Sequence, residues 1–209
     1  MTVSGTPSIL ARAAEPGRAR TGKRLPRDFY ARPTLKVARE LLGKVLTLES
    51  AGSTKTARIV EVEAYLGGRD PASHAYRGPT PRTAPMFGPP GRSYVYFVYG
   101  MYHCLNVVTE SDGVAGAVLL RGAEPLAGFD DAEPRALAGP GKLARAFGLT
   151  TEHTSLDLVR YGAILTIRDA PPVPLSRVGR SGRVGLNEHA TTNKPWRLYV
   201  RGSSGVSRP

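Results

Sequence analysis

Ser93-Tyr-Val-Tyr-Phe-Val-Tyr-Gly-Met-Tyr-His-Cys-Leu-Asn-Val-Val-Thr109 is the stretch on which the fold turns. It is rich in β-branched and aromatic residues, so it reads as two strands, 93–99 and 102–109. Only Gly100-Met101 separates them, and glycine at the first central position predicts a type II′ hairpin. Outward from this hairpin, 114–121 follows the turn Ser111-Asp112-Gly113 as a third strand. Upstream, 57–65 reads as a long strand. Alternation puts Val60, Val62 and Ala64 on one face and Glu61, Glu63 and Tyr65 on the other. A shorter strand, 45–49, precedes it through a turn at Ala51-Gly52-Ser53. Downstream, 163–168 and 196–201 are two further strands, separated by a basic loop at 176–183. Helical signals are few. Thr34 caps a short helix in which Leu35, Ala38, Leu41 and Leu42 share a face and Gly43 is the stop. A second helix, 142–147, opens behind Gly139-Pro-Gly141. Residues 67–91 form a long loop, a length that marks function or disorder, and 122–139 is an irregular connection. The expectation is an α+β fold: a single compact domain at 25–209, with a curved antiparallel β-sheet, short helices and a protruding β-hairpin.

Composition agrees. The chain has 209 residues, of which 24 are Gly and 18 Pro, too many for a helical bundle. Cys104 is the single cysteine, which excludes an intrachain disulfide, a four-thiolate zinc site and a redox pair. No apolar run approaches the length of a membrane-spanning helix, and the first residues lack the apolar centre of a signal peptide. The formal charge is +12, which favours a polyanionic partner, nucleic acid before membrane. Residues 1–24 carry Arg12, Arg18, Arg20, Lys23 and Arg24 against Glu15 alone, and read as a disordered basic arm.

Four groups of residues are candidates for chemistry. Glu61 and Glu63 face one side of a strand, where paired carboxylates either divide acid and base roles or bridge to arginines as exposed ion pairs. On a basic protein, a carboxylate on the binding face weakens phosphate affinity, which favours a chemical role. Tyr94, Tyr96, Tyr99 and Tyr102 crowd around one hairpin. They suit base stacking or, equally, an ordinary sheet core. Tyr99 lies nearest the turn, on the face opposite Tyr94 and Tyr96. The four histidines, His74, His103, His153 and His189, show no metal-ligand spacing. Gly139-Pro-Gly-Lys142 suits one phosphate but lacks the spacing of a nucleotide-binding P-loop.

In order along the chain stand Ile59-Val-Glu-Val-Glu-Ala-Tyr65, His74, Thr80-Pro-Arg82 and Met86-Phe87-Gly88. Then come Tyr94-Val-Tyr-Phe-Val-Tyr-Gly-Met-Tyr102, Asn106, Val118-Leu-Leu-Arg121 with Glu124-Pro125, Gly139-Pro-Gly-Lys142-Leu143 and Leu198-Tyr-Val-Arg-Gly202. Each motif alone is weak, but the ordered set, from about Leu25 to Ser207, resembles the alkyladenine (3-methyladenine) DNA glycosylases. The resemblance implies a monofunctional DNA repair enzyme acting on double-stranded DNA with damaged purines. It implies no cofactor or metal. Glu63 would activate a water, with Arg121 holding that water and keeping Glu63 ionised. Tyr65, His74 and Tyr96 would stack on a flipped base, Asn106 would lie in the pocket floor and exclude guanine, and Tyr99 would wedge into the duplex. A monomer in the cytoplasm, on the nucleoid if bacterial, is expected. The competing expectation is a non-catalytic nucleic-acid-binding domain, which has no use for Glu63.

Overall fold

The structure is a computed structural model that describes residues 22–50, 52–129, 133–186 and 194–208. Most of the arm expected at 1–24 therefore lies outside the described residues. Its last part does not hang free. Gly22 N–H donates to Asp169 O, Asp169 N–H donates to Lys23 O, and Arg24 bridges to Arg168.

Among the described residues, eight antiparallel strands form one sheet: β1 (Val45–Ser50), β2 (Ser53–Tyr65), β3 (Ser93–Val98), β4 (Tyr102–Val108), β5 (Ala117–Ala127), β6 (Leu165–Arg168), β7 (Val178–Ser181) and β8 (Arg197–Val200). The order is β3-β4-β5-β2-β1-β6, with β8 pairing both β2 and β7. The 13-residue β2 is the axis: β1, β5 and β8 all pair with it. Three strands on one partner curl the sheet into a half-barrel. Helices α1 (Arg27–Tyr30), α2 (Thr34–Leu41) and α3 (Pro140–Phe147) pack apolar residues against it. The α+β expectation holds, with a single compact domain.

Five local expectations are corrected. In α2 the buried face is Thr34, Val37, Ala38 and Leu41, while Leu35 is 37% exposed. Pro33 is the N-cap, and the Glu110 carboxylate accepts the Thr34 N–H at 2.8 Å, so the cap comes from a distant loop. Strand β5 runs on to Ala127 through what read as irregular chain, because β2 is long enough to pair with it. The basic loop contains β7, which β8 recruits as an edge partner. Finally, the hairpin turn is displaced by one residue. Tyr99 (φ 54°) and Gly100 (φ 67°) both have positive φ, and Met101 N–H donates to Val98 O at 3.2 Å. That sign pattern belongs to type I′ rather than II′.

Candidate active site

The β2–β5 ladder is irregular where it matters. Val62 opposes Leu120 and Glu61 opposes Gly122, so the register skips Arg121. Such a bulge re-aims a side chain. Here it turns the Arg121 guanidinium onto the face that carries both glutamates. Gly122 completes the device. A Cβ there would stand 2.2 Å from Gly205 O, so only glycine lets the C-terminal segment cross the bulge. That crossing brings Ser207 to Glu61.

Glu61 and Glu63 do share a face, as alternation predicts, but neither is exposed: both are 0% accessible. Glu61 is saturated. Its Oε1 accepts from Arg197 Nε at 2.7 Å, Ser207 Oγ at 2.8 Å and Arg121 Nε at 3.0 Å, and its Oε2 accepts the Ser207 N–H at 2.6 Å. These donors hold its carboxyl below the usual range despite burial. Glu61 thus fits the ion-pair reading, though buried. A carboxylate with a depressed pKa stabilises the fold above its unfolded value, and that contribution is lost as pH falls through the folded value. Glu61→Gln should therefore cost about 3–5 kcal/mol at pH 7, the usual effect of breaking a buried pair. Urea melts should show the gap to wild type narrowing as the pH is taken below about 4.

Glu63 is held differently. Val184 N–H donates to Oε1 at 2.7 Å and Tyr65 OH to Oε2 at 2.9 Å, while Arg121 Nη1 lies 3.3 Å from Oε1. Burial is the largest influence and raises the carboxyl above the usual range, outweighing Arg121. Arg121 pulls the carboxyl down, as expected of a neighbouring cation, while burial pulls it further the other way. Oε2 takes one bond among the described residues and retains capacity for another.

Above Glu63 opens a cavity of about 570 Å³, within the range of small-molecule sites, roughly 300–1,000 Å³. Tyr65, His74, Tyr96, Tyr99, Asn106 and Arg121 all line it. Glu63 is not in the lining, but three lining residues contact it: Tyr65, Val184 and Arg121. His74 meets Tyr96 edge-on at 4.6 Å, and its Nδ1 lies 3.2 Å from Tyr94 OH. Burial lowers the His74 pKa, with Arg82 adding to it, which favours the neutral ring. Asn106 Nδ2 donates to Tyr94 O at 3.1 Å and Cys104 O at 3.4 Å, which fixes the amide in the cavity lining. Tyr99 stands at the rim, 80% exposed.

Sequence reasoning missed the supports. Arg183 is fully buried, pairs in bidentate fashion with Asp70 at 2.6 and 2.8 Å, and stacks 4.5 Å from the Tyr65 ring centroid. It anchors the 67–91 loop and delivers its neighbour Val184 to Glu63. Arg197 and Ser207 were also missed. Alternation in β8 could have flagged Arg197, since Arg197 and Tyr199 share a face and pack at 4.6 Å.

The comparisons with known proteins identify the family. The profile of the family described as methylpurine-DNA glycosylase matches residues 28–204. A Myxococcus xanthus protein is 48% identical over 185 residues, covering 88% of this chain and 93% of its own. One from Chlorobaculum parvum is 47% identical over 194 residues, covering 88% and 91%. One from Anaeromyxobacter dehalogenans strain 2CP-1 is 51% identical over 188 residues, covering 89% and 86%. All three carry the provisional name 3-methyladenine DNA glycosylase. Fold, cavity and likeness define a DNA repair enzyme of the glycosylase class. The chain belongs to the methylpurine-DNA glycosylase family.

Proposed function

We propose that this chain flips alkylated or deaminated purines, of the 3-methyladenine, 7-methylguanine, hypoxanthine and ethenoadenine class, out of duplex DNA. It then hydrolyses the N-glycosidic bond with a Glu63-activated water and leaves an abasic site. The observation that carries the reading is a desolvated carboxylate, Glu63, in contact with the lining of an aromatic cavity at the foot of an exposed tyrosine hairpin.

Extrusion of the base costs a few kcal/mol. Tyr99 fills the vacated space and slows return of the base. Tyr65, His74 and Tyr96 wall the cavity, and electron-rich rings favour a cationic purine. The neutral His74 adds no repulsion. Asn106 crowds the exocyclic amine of normal guanine. As the glycosidic bond breaks, its electrons leave with the purine and positive charge grows on the sugar. Water adds to C1′ and its proton passes to Glu63, while Arg121 holds the water and a nearby phosphate. A cationic purine leaves neutral and needs no acid, whereas hypoxanthine and ethenoadenine take up one proton from solvent as they leave. The protein acts as a monomer without metal or cofactor, on DNA in the cytoplasm or on the nucleoid. The basic residues of 1–24 add non-specific attraction.

The test is incubation with a duplex carrying one such lesion, followed by alkali. Breaks at the lesion after alkali support the reading, and their absence for all four lesions overturns it. Breaks before alkali would point to an amine nucleophile, with Lys142 on the cavity wall as the candidate, and would overturn the monofunctional assignment. Affinity should also be strongly salt-dependent. With about 4–6 phosphates neutralised, log K against log[salt] should slope at roughly −4 to −5. A flat response in filter-binding assays would show that the +12 charge has no part in binding.

A further inference from the structure

We propose that Glu61 is a positioning residue that locks Arg121 in place and divides its charge between two carboxylates, which keeps Glu63 basic enough to work. The proposal rests on the reading of Glu63 as the base.

The geometry is asymmetric. Arg121 Nε donates a hydrogen bond to Glu61 at 3.0 Å and Nη2 donates to Ser207 Oγ at 3.3 Å. Toward Glu63, Arg121 makes only an ion-pair contact, Nη1 to Oε1 at 3.3 Å. Its directed bonds therefore go to the far side, and Glu63 receives charge without a well-aligned donor. An arginine held this way cannot swing to form a two-pronged pair with Glu63. Such a pair would stabilise the carboxylate and make it a poorer proton acceptor. The bulge that skips Arg121 and the glycine that admits Ser207 both serve this arrangement.

Among the described residues, the groups that face Glu63 are few. From β2 come Glu61 and the Tyr65 hydroxyl, from β5 Arg121, from β3 Tyr96, from β4 Cys104, and from the segment after β7 the Val184 N–H. Arg183 is neutralised by Asp70, and Arg197 by Glu61. Among the described residues, only Arg121 is shared between the two glutamates.

Opposite signs follow from the two neighbours. In Glu61→Gln, Arg121 keeps a single carboxylate partner and its whole pull falls on Glu63. The acid limb of excision should then move to lower pH by about one pH unit. In Arg197→Gln, Glu61 loses a cation and draws harder on Arg121. The limb should move to higher pH, and Arg197→Lys should return it toward wild type. At pH 8 both Gln variants should excise within roughly tenfold of wild type. A loss of packing alone moves no limb in a set direction.

The measurement is single-turnover excision of 7-methylguanine from duplex DNA between pH 5 and pH 8. The ionisation of the lesion itself is common to all variants, so a difference between their limbs comes from the protein. A ¹³C-carboxylate NMR titration of the free full-length variants, with the Glu63 signal assigned by its loss in Glu63→Gln, reads the same shift without DNA. Limbs moving in opposite directions support the proposal. Unmoved limbs, or limbs moving the same way, overturn it. If Glu61→Gln does not fold, the Arg197→Gln and Arg197→Lys pair decides alone. Glu63→Gln separates the two readings. If it excises at the wild-type rate, Glu63 is not the base and the proposal falls with it. If it is inactive and the limbs stay put, only the role of Glu61 falls.

Discussion

Glu63→Gln should lower base excision by roughly 10²–10⁴-fold, the usual contribution of a general base, while lesion-duplex binding stays level or tightens. The amide keeps the shape of the carboxyl and still accepts the Val184 N–H, so the pocket stays built. What it loses is the ability to take a proton from water. It also removes a negative charge from the face that meets a polyanion. Stability should move the other way. Burial raises the Glu63 carboxyl above its usual range. The fold therefore favours its neutral form, and that preference stabilises the protein below the unfolded pKa and is lost as pH rises through the folded one. A neutral amide escapes this loss. Thermal melts at pH 8 should put Glu63→Gln at or above wild type, with the difference vanishing near pH 4. The same ionisation predicts that wild-type excision falls as pH drops through the raised pKa of Glu63. A variant that is both slow and less stable at pH 8 would mean that the substitution had damaged the site rather than removed a base.

The strands that carry this site were legible because each has its own local signal. Alternation in 57–65 put Glu61, Glu63 and Tyr65 on one face, and the structure keeps them together. The hairpin was legible for the same reason. Its turn was misjudged by one residue because glycine suits positive φ at either central position, and the choice depends on strand register, which one strand alone does not encode. Strand β7 was not legible. Gly179 and Arg180 have no strand preference, and β7 exists because β8 pairs with it. Contacts across long separations were equally hidden. Arg197 reaches Glu61 across 136 positions and Arg183 reaches Asp70 across 113. Only the folded chain shows that an apparent pair of equivalent glutamates is one saturated carboxylate and one that keeps acceptor capacity.

Tyr99→Ala and Tyr96→Ala should fail in different ways, although only three residues separate them. Tyr96 lines the cavity against His74 and Tyr94, where it would stack on any extruded purine. Tyr99 is 80% exposed at the tip, with φ at 54°. A bulky residue in that left-handed region costs the fold of order 1–2 kcal/mol, and strain of this kind is tolerated where function requires it. Tyr99→Gly should therefore raise stability while lowering excision, which separates the turn's folding role from its role on DNA. Stacking on an aromatic is worth about 1–3 kcal/mol per base. Loss of the wedge should then reduce the flipped population, and excision from paired DNA, by roughly 5- to 150-fold. On a lesion already unpaired, in a bulge or a single strand, little extrusion remains to be stabilised. Tyr99→Ala should lose far less there, whereas Tyr96→Ala should lose similarly on both substrates because the pocket is used in each. Single-turnover excision by both variants on paired and unpaired forms of one lesion makes the comparison. Equal losses for Tyr99→Ala on the two forms would remove it as the wedge and leave its exposed, left-handed conformation without a role on DNA.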